Sequence, residues 1–273
     1  MGWRQRFEDR PLIMGILNVT PDSFYDGGKF YPQDVAITHA LRLIEEGADI
    51  LDVGGESTRP YSDATPAEEE LRRVIPVIRE IRARSTVFLS VDTYKAAVAR
   101  EAIEAGADMI NDISGLTFDP ETASVAAQSG VPVVIMHTRG RPKEMQVNPG
   151  YEDVIGQIKE FFVDRVQYAK QCGVQDSNIV LDPGIGFGKR VEDNLTIIKD
   201  LRRFKELGYP ILIGTSMKGF IGKLAGSPEL EERIEGTLAS LALSLWNGAD
   251  ILRVHDVKKA KKVAAFVQAV MAA

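Results

Sequence analysis

The chain has 273 residues, 44% of them hydrophobic and 26% charged, with a formal net charge of −6. That length supports one large core, and no Pro-, Gly- or Ser-rich linker divides it, so residues 1–273 are read as one domain. The mild, dispersed acidity excludes the basic footprint of a nucleic-acid binder, and a single cysteine, Cys172, excludes an internal disulfide framework and leaves a reducing cytoplasm as the expected setting.

Residues Met1 to Arg10 are polar and charged with no apolar stretch behind them, so they do not read as a secretory signal. An apolar run from Leu12 to Leu17 reads as the first strand and stops at Asn18. Further strands are expected at Ile50 to Val53, Val87 to Val91, Met109 to Ile110, Pro132 to Met136, Ile179 to Leu181, Ile211 to Ile213 and Ile251 to Val254. Helical spacing predicts helices between and after them at 34–46, 66–84, 95–105, 121–129, 152–171, 193–206, 229–246 and 257–271. The longest apolar run, Leu238 to Trp246, is too short to cross a bilayer at about 20 residues, so no membrane span is expected.

One junction recurs. Gly47-Ala48-Asp49, Gly106-Ala107-Asp108 and Gly248-Ala249-Asp250 each end a helix and lead at once into a strand. Eight strand–helix units in this length fit a closed (β/α)8 TIM barrel better than an open doubly wound sheet, since closure removes the edge strands. The stretch Phe88 to Gly115 holds one such unit, with Asp92 and Asn111 at the carboxyl ends of neighbouring strands, where parallel α/β folds bind their ligands.

The carboxyl ends read in order are Asn18, Gly54-Gly55-Glu56, Asp92, Asn111, His137, Asp182, Ser216 with Lys218, and Arg253 with His255. Strand ends meet water and are polar anyway, so no single position carries a function. A mixture of Asp, Asn, Arg and His converging on one mouth is better read as a binding site. The segment Ile16 to Gly28 continues the first strand into a loop too long for a tight connection, which suggests a lid. Asp182 to Lys189 is glycine-rich but lacks the Walker spacing, so it is not read as a nucleotide loop.

Taken together, Asn18-Val-Thr-Pro-Asp-Ser-Phe24 with Asp26-Gly-Gly, Asp52-Val-Gly-Gly-Glu-Ser-Thr-Arg-Pro60, Val91-Asp-Thr, Ile110-Asn-Asp-Ile-Ser-Gly115, Met136-His, Asp182-Pro-Gly-Ile-Gly-Phe-Gly-Lys189, Gly214-Thr-Ser-Met-Lys218 and Arg253-Val-His255 resemble the dihydropteroate synthase family in order along nearly the whole chain. The resemblance implies a folate-pathway transferase that joins a dihydropterin pyrophosphate to 4-aminobenzoate and releases pyrophosphate. It implies that Asp92, Asn111, Asp182 and Lys218 hold the pterin. Carboxylates suit this, since they accept from the amino and ring N–H groups of a pterin edge, while an amide both donates and accepts.

For the leaving group, Arg253 and His255 alternate on the last strand and so face the same way, and an arginine fork suits phosphate. The resemblance adds Thr58 to the pyrophosphate set and places Mg2+ at Asn18, a weak single ligand that leaves the ion to be held mainly by pyrophosphate and water. It implies a dissociative reaction in which Lys218, Arg253, His255 and Asp92 are the catalytic group, without a Ser/His/Asp triad. Ser216, Phe187, Pro60 and Phe24 are the candidates for the aminobenzoate pocket, and the loops Val19 to Lys29 and Gly55 to Thr65 would close over it. A homodimer through the late helices is also implied, with Leu238 to Trp246 apolar enough to serve.

Two positions depart from the family pattern: Met217 stands where Arg usually precedes the lysine, and Tyr61 where the second loop often has Gly. Two other readings remain at this point, a methyltetrahydrofolate–corrinoid methyltransferase and a pterin-binding paralogue without turnover. Arg253-Val-His255 and the first loop argue against the former. His39 and His137 also admit packing roles, and the lysines at 258, 259, 261 and 262 a solvated face.

Overall fold

Strands β1 (Leu12–Asn18), β2 (Ile50–Gly54), β3 (Phe88–Asp92), β4 (Met109–Asp112), β5 (Val133–Met136), β6 (Ile179–Asp182), β7 (Leu212–Ile213) and β8 (Ile251–Val254) lie within a residue or two of their expected places. They form one all-parallel sheet in the order β6-β5-β4-β3-β2-β1-β8-β7. A parallel bridge from Leu181 to Ile211 brings β6 against β7 and closes the sheet into a (β/α)8 barrel. The structure is a computed structural model describing residues 3–6, 10–20, 32–227 and 229–273; Phe24, the Asp26-Gly-Gly turn and most of the expected lid lie outside the described residues.

Because side chains alternate along a strand, the barrel has two apolar cores. Inside it, Leu12, Met14, Ile50, Phe88, Met109, Val134, Val180, Leu212 and Ile251 fill the lower layers. Outside it, the alternate residues, such as Leu51, Val91, Ile135, Leu181 and Val254, pack on the helices. The inward rows end in polar residues at one mouth. The other mouth is plugged by Trp3, on a short 3-10 helix (Trp3–Arg6), whose ring lies 5.8 Å from Phe88 and whose Nε1 donates to the Ser177 carbonyl at 3.1 Å. The polar reading of Met1 to Arg10 therefore missed the apolar anchor that Trp3 supplies.

The recurring junction has a physical reason. Gly47, Gly106 and Gly248 take φ of 97°, 113° and 99°, which a residue with a Cβ resists, and so end their helices abruptly. The aspartate that follows accepts an amide at the start of a neighbouring strand: Asp49 from Ile13 at 2.8 Å, Asp108 from Leu89 at 2.9 Å, Asp250 from Ile211 at 2.7 Å. Each also pairs with a cation, Arg10, Arg82 and Lys205 respectively. Three repeats thus seal the floor of the barrel, away from the polar mouth.

The helices are α1 (Pro32–Glu45), α2 (Ala67–Arg84), α3 (Ala96–Glu104), α4 (Glu121–Ser129), α5 (Val154–Gln171), α6 (Val191–Lys199), α7 (Arg202–Lys205), α8 (Gly219–Ala225), α9 (Ile234–Trp246) and α10 (Val257–Ala272). The single helix expected at 193–206 is two. It breaks at Asp200, and Asn247 Nδ2 donates to the Ile198 carbonyl at 2.9 Å, satisfying an acceptor the break leaves free, while Leu201 and Phe204 stay buried. The helix expected from 229 starts at Ile234, behind a 3-10 turn at Glu231–Arg233. Helix α8 was not expected; its seven residues are too few to show a helical period. Among the described residues no helix is long and apolar enough to cross a membrane.

Candidate active site

The inward rows of β2, β3, β4 and β8 carry Asp52, Asp92, Asn111 and Arg253 to the same level. The strand register sets Gly54 beside Asp92 and Asp92 beside Asn111. Arg253 donates from Nε to Asp52 Oδ2 and from Nη2 to Asp92 Oδ2, each at 2.6 Å, and Asn111 Nδ2 donates to the same Asp52 oxygen at 2.9 Å. One guanidinium therefore serves two buried carboxylates. Burial pushes Asp92 up to about 7; Arg253 opposes that rise, and the carboxylates of Asp52, Glu70 and Glu56 add to it. Burial alone would lower Arg253, but Asp52 and Asp92 more than offset it and hold the guanidinium charged.

Across the mouth, β6 ends in Asp182, whose Oδ1 accepts the Gly184 amide at 2.7 Å. Burial raises this carboxyl to about 6, against the Gly184 N–H and the charges of Lys218 and Arg253. Gly184 has φ 69°, and a Cβ there would lie 2.0 Å from the His137 carbonyl, so the chain can turn this closely to β5 only with glycine. Buried Lys189 closes the loop: its Nζ donates to His137 Nδ1 at 2.9 Å, to the His137 carbonyl at 3.3 Å and to the Phe187 carbonyl at 3.0 Å. Burial and the Lys189 charge push the His137 pKa down, so the ring is neutral and its Nδ1 is the acceptor. The loop then offers the Phe187 ring to Lys218, whose Nζ sits 4.3 Å from the ring centroid. Lys218 is pushed down to about 8 by burial and Arg253, with Asp182 and Asp92 pulling the other way.

Ser216, after β7, and His255, after β8, meet at the rim. Ser216 Oγ lies 3.0 Å from His255 Nδ1 and accepts the His255 amide at 3.2 Å. The surrounding protein, then the charges of Arg253, Lys218 and Arg59, push His255 down to about 4. Arg59 belongs to the loop after β2, which is tied at both ends by Glu56. Glu56 Oε1 accepts the Tyr94 hydroxyl at 2.9 Å; Oε2 accepts the Thr65 amide at 3.0 Å and pairs with Lys95, which also pairs with Glu70. Thr58 is half-buried on this loop, and Pro60 is exposed at its tip. Tyr61 has φ 68°, which explains why glycine suits that position; its amide donates to the Pro142 carbonyl at 3.0 Å.

Of the residues expected at the site, Asp92, Asn111, Asp182, Lys218, Arg253, His255, Ser216 and Phe187 are brought to one mouth. Asn18 ends β1 beside Gly54 in register. Pro60 is exposed at a loop tip, and Phe24 lies outside the described residues. Sequence reasoning missed Asp52, Lys189 and Arg59 as participants, and it named Glu56 only as a strand end, without its role. All four stand inside the motifs, and the signal for Asp52 was its inward parity with Gly54 at the end of β2. Among the described residues no group of three or more His, Cys, Asp or Glu side chains could hold a metal ion. The Asn18 amide oxygen is a hard donor at the mouth, and it fits a cation whose other ligands arrive with a substrate.

Residues 14–255 match the family model described as pterin binding enzyme. The chain is 48% identical to the dihydropteroate synthase of Bacillus subtilis over 97% of its own length and 90% of the relative's. It is similar to the structure of Xanthomonas albilineans dihydropteroate synthase with 4-aminobenzoic acid, with a TM-score of 0.92 and 47% identity over 97% of this chain and 94% of that one. It is also similar to the same organism's enzyme in complex with 7,8-dihydropteroate, with a TM-score of 0.89 and 44% identity over 97% and 95% of the two chains.

Proposed function

Because the chain belongs to the pterin-binding enzymes and among them is a dihydropteroate synthase, we propose that its barrel mouth joins 6-hydroxymethyl-7,8-dihydropterin pyrophosphate to 4-aminobenzoate by a dissociative transfer. The observation that carries this is the buried acceptor set of Asp92, Asn111 and Asp182 interleaved with the cations Arg253 and Lys218. A pterin edge presents several N–H donors and a carbonyl, and this set answers both. Asp182 and Asp92 accept from the amino and ring N–H groups; Asn111, held by Asp52, and Lys218 complete the clamp.

The pyrophosphate then lies toward the rim, where Arg253, His255 and Thr58 receive it. Arg253 spends its Nε–H on Asp52 and one Nη2–H on Asp92, which leaves both Nη1 N–H groups and the second Nη2–H to donate to an anion. Asn18 would hold Mg2+ together with the pyrophosphate, and the bound ion supplies charge neutralisation to the leaving group. The C–O bond breaks with its electron pair leaving on pyrophosphate, and the methylene cation is delocalised into the pterin. The lone pair of the aniline nitrogen forms the new N–C bond, and the nitrogen then loses a proton. That amine is already neutral, so no strong general base is needed. Ser216 and Phe187 border the place where 4-aminobenzoate approaches.

In this reading residues 1–273 act as one domain in a reducing cytoplasm. The chain pairs with a second copy through α9, whose Leu243 lines an apolar groove of about 710 Å³ against α6 and α8 and whose Trp246 is also exposed. The purified protein, given Mg2+ and both substrates, is expected to form dihydropteroate and pyrophosphate in equal amounts. Pterin pyrophosphate that binds without any pyrophosphate release would instead support a paralogue without turnover.

A further inference from the structure

Met217 stands between Ser216 and Lys218, and it is in the left-handed backbone region at φ 60°. A residue with a Cβ resists that conformation, so something must hold it. Two groups from the N-terminal end of α9 do so. The Met217 amide donates to Thr237 Oγ1 at 3.1 Å, and Arg233 Nη1 donates to the Met217 carbonyl at 3.1 Å.

The contact belongs to a wider pattern. The buried face of helix α9 mixes hydroxyls with apolar residues: Thr237, Ser240 and Ser244 are buried beside Leu241 and Leu245, whereas Leu243 and Trp246 are exposed. Ser240 Oγ and Thr215 Oγ1 are hydrogen-bonded at 2.8 Å, and the Lys218 amide donates back to the Thr215 carbonyl at 3.3 Å. Each residue of the turn from Thr215 to Lys218 is therefore fixed either by α9 or by a neighbour that α9 fixes. The two residues flanking Met217 each depend on its peptide planes, since Ser216 must reach His255 Nδ1 at 3.0 Å and Lys218 must stay 4.3 Å from the Phe187 ring centroid.

We propose that Thr237 is a positioning residue of the reaction: its hydroxyl holds Met217 left-handed and thereby sets Ser216 toward the aminobenzoate pocket and Lys218 toward the pterin. This rests on the substrate roles given to Ser216 and Lys218 above. Thr237→Val keeps the shape and burial of the side chain but deletes the acceptor of the Met217 amide. Thr237→Ser keeps the acceptor. Met217→Gly makes the left-handed conformation free of Cβ strain and so removes the need for the tie.

The test is steady-state kinetics with both substrates, and thermal melting, on the wild type, Thr237→Val, Thr237→Ser and the double variant Thr237→Val/Met217→Gly. Thr237→Val is expected to lose about tenfold or more in kcat/KM, with the KM for 4-aminobenzoate rising. Thr237→Ser should stay within about twofold of the wild type, and adding Met217→Gly should restore most of the loss. A valine variant as active as the wild type would overturn the proposal, and so would a double variant as impaired as the single one, because helix packing alone would not be rescued at residue 217. If the wild type binds pterin pyrophosphate without turnover, the function reading fails, and the same rescue pattern is then read in the dissociation constant for that ligand. A wild type that does not bind it overturns both.

Discussion

Asp182 must be ionised to accept two hydrogen bonds from a pterin edge, yet burial raises its pKa to about 6. Pterin binding therefore favours the deprotonated carboxyl, and affinity should fall as pH drops through that value. At pH 5 only about one carboxyl in ten would be ionised, so binding is expected to be about tenfold weaker than at pH 7.5. Calorimetric titration of a pterin ligand from pH 5 to 8 checks this, and a flat profile would remove Asp182 from the role. The sign reverses for the stability of the empty protein. With a folded pKa above the unfolded value of about 3.9, the folded state holds the extra proton, so this contribution is lost as pH rises through about 6. Arg253 is the second residue where structure alters the argument. Arg253→Ala leaves Asp52 and Asp92 buried beside each other without their cation, a loss of about 3–5 kcal/mol in unfolding free energy. It should also weaken a pyrophosphate-bearing pterin more than one without phosphates; equal losses for the two ligands would sink the phosphate role while leaving the structural one.

At the scale of elements, the loop after β2 is held shut at its base by Glu56, which joins Thr65, Tyr94 and Lys95 at one carboxylate. Glu56→Ala should free residues 57–65, lower kcat/KM by about 10–100-fold and speed proteolysis near Arg59. Glu56→Gln, which keeps one acceptor oxygen for either Tyr94 or Thr65 and removes the charge opposite Lys95, should fall between. An alanine variant with wild-type turnover and protease resistance would show that the loop does not need this tie. The Gly-Gly-Glu-Ser-Thr-Arg-Pro motif was legible in the sequence, but the function of its glutamate was not. Its partners, Thr65 at the far end of its own loop and Tyr94 and Lys95 after β3, are distant in sequence, and only packing places them together. The missed helix α8 and the break at Asp200 have a different cause: one element is too short to show a period, and the other depends on Asn247 from a distant turn.

At the scale of the whole molecule, α9 buries Leu241 and Leu245 with its hydroxyls but leaves two further large apolar residues, Leu243 and Trp246, facing outward. Light scattering is expected to give twice the 30.0 kDa of one chain. Charge introduced by Leu243→Glu with Trp246→Glu should yield monomers, and a wild type that is monomeric at working concentration would remove the pairing. The sequence by itself determined the barrel and pointed to many of the polar residues at its mouth, such as Asp92, Asn111, Asp182 and Arg253, though not to Asp52. Strand periodicity and the repeated Gly-Ala-Asp stop are local properties, and the side-chain parity of a parallel strand fixes which residues face inward. Tertiary structure alone decided how those residues are paired: that Arg253 is shared between Asp52 and Asp92, that Lys189 locks His137 to the Phe187 loop, and that Thr237 reaches Met217. These contacts span from 20 to 201 positions in sequence, and no local pattern records which charge will be left facing which once the barrel closes.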